Sequence, residues 1–415
     1  MKRRLVACAT VLVLSLLMLT SCVVGSGAPE AAGIANSAER PDSEVGATEI
    51  THYFECPHFL YEVYWSIPRP PGSPLYAADV ANVERLIVRR TNEITSLAGI
   101  EFFTALLELD VTDNLLTELD VSRNRYLQFL RASYNALTSL DLSRNRYLID
   151  FNVNNNELTT LDLSNNTYLE GFSAADNLLT ELDLSNNSRL RALAVGRNNL
   201  TALDLSNKHN LYLVNAYNNE LSELILTYSP VMTQIMVQDN RITTINVSNM
   251  PILITLVLDN NRLTELDLSS NVNLLWTEVA NNRLTELDLS NNPNLMSVVL
   301  SGNQLTELDV SNNPNLFMIG AWDNQLSELD VSNNPRLDLL RISGNRLTGL
   351  DVSNNLELRA LDVRWNNIES PGGIIGWQEV GLEMNQENAR TPDPRAYATV
   401  AGLTFWPQSA DSNSG

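Results

Sequence analysis

Carboxylates recurring every 21 residues are the groups in this chain best placed to do chemistry. Asp267, Asp288, Asp309 and Asp330 stand in one column, in register with Asp120, Asp141, Asp162, Asp183, Asp204 and Asp351. Glu118, Glu181, Glu223, Glu265, Glu286, Glu307 and Glu328 stand two positions earlier in their turns. If each turn lies roughly 4.8 Å from the next, like charges line up at close range. The default reading is a solvated face, with each Asp bonded to backbone or to the Ser two residues on. Hard cations take oxygen ligands, so calcium bridging at Asp267, Asp288, Asp309 and Asp330 is the alternative. Acid–base catalysis needs two carboxyls whose pKa values diverge, and a ladder repeating one environment gives no reason for that.

Other chemistry is sparse. Arg241, Arg262 and Arg283 form a second column, which nearby Asp239, Asp259 and Glu278 offset as solvated ion pairs, with an anionic ligand patch as the sharper alternative. Cys56 lies near His52 and His58, but with Glu55 and Glu62 alongside, the stretch reads more simply as a packed cap than as a metal site. The chain has 3 His and no Gly-rich phosphate loop, no His-Glu-x-x-His and no Ser-x-x-Lys. An enzyme is not expected, and no cofactor is implied.

The element that positions these columns is a 21-residue unit running from Leu116 to Ile368. One copy reads Leu295-x-x-Val298-x-Leu300-x-x-Asn303-x-Leu305-x-x-Leu308-Asp309-Val310-Ser311-x-Asn313. So short and strict a period means a solenoid whose turns bury their apolar faces only against neighbours. Two strand-like pieces alternate per turn: Val298 and Leu300 point inward in one, Leu308 and Val310 in the other. Asn closes the first half of every turn, as at Asn240, Asn261, Asn282, Asn303, Asn324 and Asn345. At such a bend backbone groups would be buried unpaired, and an amide supplies donors and an acceptor to adjacent turns. This column is structural.

Leu-x-x-Leu-x-Leu-x-x-Asn-x-Leu is the leucine-rich repeat signature, and the nested Leu-Asp-Leu half resembles the short bacterial class called IRREKO repeats. Ile94 to Glu101 resembles the cap-to-repeat junction of internalin-like bacterial surface proteins. The resemblance implies a β-rich solenoid, a leucine-rich repeat horseshoe or superhelix of about 13 turns over 106–368. A helical N-terminal cap is expected over 51–105, with Phe59, Leu60, Val63, Tyr64 and Ile67 on one helical face, a second short helix over 77–83 and a strand at 86–88. An irregular C-terminal cap follows over 369–407, then a disordered tail over 408–415.

The outward positions of the first-half strand vary from turn to turn, as a recognition surface would. Tyr217, Met236, Trp276, Met318 and Trp322 stand out there as exposed anchors for a ligand. A protein partner is expected, with a glycan held on Trp276 and Trp322, or a ligand-free envelope spacer, as alternatives. The middle turns are irregular: Lys208-His209, Tyr228-Ser229-Pro230 and Met250-Pro251 replace the usual Asn-Asn, and Ile225 and Asn246 replace Asp.

Lys2, Arg3 and Arg4 followed by apolar Leu5 to Leu19 make a secretory signal over 1–21. Its end, Leu19-Thr20-Ser21-Cys22, resembles the bacterial lipoprotein box, which implies a lipid on Cys22 and a flexible linker over 22–50. The net charge is −22, and loss of those three cations leaves −25. Such acidity argues against nucleic acid and against lying flat on an anionic bilayer. The expected location is the outer face of a bacterial cell membrane, held through the lipid alone.

Overall fold

The structure, a computed structural model, describes residues 48–89, 92–378, 383–384 and 397–399. The expected signal, Cys22, most of the linker and the tail lie outside the described residues. The chain divides into two compact units, one ending at Val231 and the other beginning at Met232.

The first unit opens with the cap. Helix α1 (Pro57–Ser66) has Pro at its start, where a missing N–H costs nothing, and buries Phe59, Val63 and Tyr64. Packing already begins at Ile50, which is fully buried and donates its N–H to Leu75 O at 2.7 Å. Helix α2 starts as expected, where Asp79 Oδ2 accepts the Tyr76 N–H at 2.8 Å, but is shorter, Ala77–Val80, and ends in a turn in which the Val83 N–H donates to Val80 O at 3.0 Å. The strand Arg85–Ile87 then pairs parallel with Glu108–Asp110, so the ladder begins inside the cap. This is why the described residues make about 14 turns rather than about 13. Phe129–Arg131, Asp150–Asn152, Gly171–Ser173, Ala192–Ala194 and Leu213–Asn215 follow, each paired parallel to the strand one turn before.

In the second unit the strands Gln234–Met236, Thr255–Val257, Trp276–Glu278, Ser297–Val299, Met318–Gly320, Leu339–Arg341 and Ala360–Asp362 repeat this parallel ladder. Tyr397–Thr399 pairs antiparallel with Ala360–Asp362, and Glu383–Met384 pairs antiparallel with it as the outermost strand. In both units one leucine set fills the interior: Leu295, Val298, Leu300, Leu305 and Val310 are fully buried in a single turn. Each such side chain contributes about 1.5–3 kcal/mol on leaving water.

The second half of most turns is not a strand. Its Leu and Val are buried as expected, but Asp309 Oδ1 accepts the Ser311 N–H at 2.8 Å and curls the chain into a local turn. Strand pairing returns at Ala202–Leu205 with Glu223–Leu226 and at Leu350–Asp351 with Ile374–Ile375, although Asp204 and Asp351 still accept the N–H of Ser206 and Ser353.

Two amide ladders run through the turns. Asn261 donates to Val237 O and Leu258 O, each at 3.0 Å, while its Oδ1 accepts the Ile242 N–H at 3.0 Å. The second ladder, absent from the expectations above, includes Asn271, Asn292, Asn313, Asn334 and Asn355, all fully buried. Asn313 donates to Leu289 O at 3.0 Å and Asn292 O at 2.9 Å, and its Oδ1 has no partner. Lys208, Ser229 and Met250 occupy this buried column in the irregular turns. Immediately before the first ladder, each turn holds one residue at positive φ, from Asp113 to Trp365.

Candidate functional site

In the second unit Trp276 and Met318 stand in one outward column two turns apart, with Ser297 between them. The Trp276 ring meets Phe317 edge-on at 5.5 Å, so it reaches across two turns rather than standing alone. Trp322 folds back over Gly320, where a Cβ would come 2.8 Å from its ring. All three side chains remain partly exposed. Met236 does not serve as an exposed anchor: it is only 6% exposed. Its register neighbour is Val257, and side chains one turn apart on a parallel sheet stand close enough to cover a flexible thioether.

In the first unit Tyr217 lies across Gly196, whose added Cβ would collide with the ring. Arg197 sits 5.8 Å from the Tyr217 ring centroid. Burial pushes the Tyr217 hydroxyl above its ordinary value, partly opposed by Arg197.

Arg241, Arg262 and Arg283 are exposed. The ion pairs expected for the column are not formed by Arg262 or Arg283 among the described residues. Asp259 instead turns toward its own face, where its Oδ1 accepts the Ala280 N–H at 2.5 Å. Burial, then the adjacent Glu278 carboxylate, pushes the Asp259 carboxyl up to about 7. In the first unit Asp150 is 4% exposed, and burial raises it to about 6 although Arg131 opposes the shift. Neither raised carboxyl was legible from the repeat, because neither belongs to a column.

The Asp column has its own partners. Asp267, Asp288, Asp309 and Asp330 each accept the N–H of the Ser two residues on, at 2.8–2.9 Å. Hydrogen bonds from that same Ser hold each of these carboxyls below the ordinary value. With the Glu column they line a shallow trough of about 1420 Å³ in the second unit. Among the described residues no three His, Cys, Asp or Glu converge on a position that could hold a metal ion. Cys56 is buried with its thiol 3.9 Å from Glu93 O, while His58 pairs with Glu93 at 2.8 Å.

Residues 354–374 match a leucine-rich repeat family. No curated relative matches the chain. Among solved structures, the functional domain of InlJ from Listeria monocytogenes is 29% identical, with a TM-score of 0.68 over 76% of each chain. That domain is described as including a cysteine ladder; here Cys8, Cys22 and Cys56 all precede the repeats. YopM of Yersinia pestis, a leucine-rich effector, is 29% identical with a TM-score of 0.54 over 66% of this chain and 74% of that one. A leucine-rich repeat protein of Leptospira interrogans, 22% identical, shares the fold with a TM-score of 0.61 over 68% of this chain and 78% of its own. Parallel register, buried leucine columns and these likenesses agree: the fold is a leucine-rich repeat solenoid with internalin-like structural neighbours.

Proposed function

We propose that this chain is a non-catalytic recognition protein that binds a protein partner on its variable strand face. The observation that carries the reading is the pair Trp276 and Trp322. Both remain partly exposed at outward positions of the second unit, where inward Leu and Val already fill the core. Large rigid aromatics on a fixed scaffold lose little entropy on binding, and a few of them dominate many interfaces. Protein recognition is also found on this fold: one plant membrane receptor kinase ectodomain that shares it is described in complex with Casparian strip integrity factor 2. The Leu19-Thr20-Ser21-Cys22 box further supports a lipid anchor at the outer face of a bacterial membrane.

Two measurements test this. Trp276→Ala with Trp322→Ala should leave the melt within about 1 kcal/mol of wild type and weaken capture of the protein partner recovered by the wild-type chain at least tenfold, about 1.4 kcal/mol. Unfolding of the double variant would place these rings in the core and sink the reading. Cys22→Ala should move the protein out of the detergent-extracted membrane fraction; equal retention would sink the anchor.

A further inference from the structure

The first unit carries a second surface that the strand face does not account for. Tyr126, Tyr147 and Tyr168 recur at the repeat spacing in the loops after the Asp column. Their rings form a row, with centroids 6.3 Å and 6.2 Å apart. Arg189, one turn on, continues the row with its guanidinium 4.4 Å from the Tyr168 ring centroid. Arg189 also borders a cleft of about 590 Å³ lined with Arg191, Asn210, Tyr212, Glu170 and Val231. The Glu170 charge is met by Arg191 at 3.4 Å.

The fold does not require these residues. Equivalent positions in the second unit are Asn291, Pro293 and Asn294 where the first unit has Arg123, Arg125 and Tyr126. Arg123, Arg125, Arg144 and Arg146 are all exposed. Arg125 and Arg146 form no ion pair among the described residues. In a chain with a net charge of −22, four exposed arginines are gathered beside the tyrosine row, three or five residues after Asp120 and Asp141.

We propose that this row and its cleft bind an acidic polysaccharide, whose sugar rings lie along the tyrosines and whose carboxylates meet the arginines. Guanidinium groups match carboxylates in a two-pronged geometry, and Asn210 and the phenols offer hydrogen bonds to hydroxyls. A peptide fits less well, because peptide capture draws on free main-chain groups. Here the loop closes on itself: Asn145 N–H donates to Leu142 O at 3.0 Å and Leu148 N–H to Asn145 O at 3.3 Å. Nucleic acid meets the same acidic body as any polyanion, and it is the competing occupant that the oligothymidylate arm of the test separates. The surface is independent of Trp276 and Trp322, which belong to the other unit.

The test uses the full chain with three probes: polygalacturonate, neutral dextran and oligothymidylate. Polygalacturonate should retard the protein in affinity electrophoresis, dextran should not, and oligothymidylate should act more weakly. Arg189→Gln and Tyr147→Ala should each weaken polygalacturonate binding at least fivefold, with melts monitored alongside. Arg189→Gln changes an exposed side chain, so it stays informative if Tyr147→Ala unfolds. Trp276→Ala with Trp322→Ala should leave this binding intact, which separates it from the protein-partner reading. No retardation by polygalacturonate, retardation indifferent to Arg189→Gln, or tighter binding of oligothymidylate would each overturn the proposal.

Discussion

Asp259 shows how one residue escapes the logic of the repeat. Its carboxyl has few polar partners, sits beside Glu278, and is pushed up to about 7 from an ordinary 3.8. The folded state therefore holds the proton more tightly than the unfolded chain. The resulting stabilisation is complete below about pH 4 and lost as pH rises through about 7. At about 1.4 kcal/mol per unit the loss is at most about 4 kcal/mol. Asp259→Asn should accordingly raise the melting temperature at pH 8 and leave it nearly unchanged at pH 4. A variant that gains equally at both would show that the proton is not the cause. Tyr134 makes a different demand on the backbone. It occupies the left-handed region at φ 55° in a column where Asn155, Asn218, Asn260 and Asn281 stand. That conformation costs most residues roughly 1–2 kcal/mol, and Asn tolerates it better. Tyr134→Asn should stabilise the chain by about 1 kcal/mol in a denaturant titration; a loss would mean that the half-exposed ring packs more than it strains.

At the scale of the turn, the two amide ladders differ in a measurable way. Asn261 is bonded at both its amide donors and its carbonyl, whereas Asn313 leaves its Oδ1 unpaired. Removing a group that satisfies buried backbone costs about 1–3 kcal/mol. Asn261→Ala should therefore destabilise more than Asn313→Ala, since the second change also removes an orphaned acceptor. Equal losses by thermal melt would contradict this ranking. Lys208 occupies the second ladder's column, where burial pulls its ammonium below its ordinary value against the opposing Asp204 and Asp183. Lys208→Asn should stabilise by about 1 kcal/mol. The first ladder was legible from its unbroken Asn, because the pattern and the physics coincide. The second was partly hidden: Lys208, Ser229 and Met250 interrupt it, and interruption looked like tolerance rather than burial. The half-turn read as a second strand failed for a related reason. Inward alternation of Leu308 and Val310 is the same in a strand and in a turn held by Asp309.

Across the whole molecule, period alone fixed the solenoid, the inward leucines and the outward face. What it could not convey was contact between side chains of different turns. The edge-on approach of Phe317 to Trp276, the collapse of Trp322 onto Gly320, and the burial of Met236 all depend on neighbours one or two turns away. The tyrosine row was visible in principle, since Tyr126, Tyr147 and Tyr168 keep the period. Its contacts were not, because the period gives the spacing of loop residues and not the direction in which their rings turn. Long-range charge tells a similar story: the negative total hides four exposed arginines that only placement shows gathered beside the row.

The hydrogen bonds that the two asparagine ladders make between turns span fixed separations of 19, 21 or 24 residues, as at Asn282, Asn292 and Asn303. No turn inspects which copy stands beside it, only that some copy does. To the gene, this makes 21 residues a unit of currency-free exchange: unequal recombination between near-identical copies adds or removes a whole turn in frame without disturbing any bond type. Excision of residues 284–304 should give a shorter protein that still melts cooperatively, whereas excision of ten residues should not. Such a change would also draw Trp322 one turn closer to Trp276, so a lineage could retune the spacing of its contact residues by counting copies rather than by point substitution.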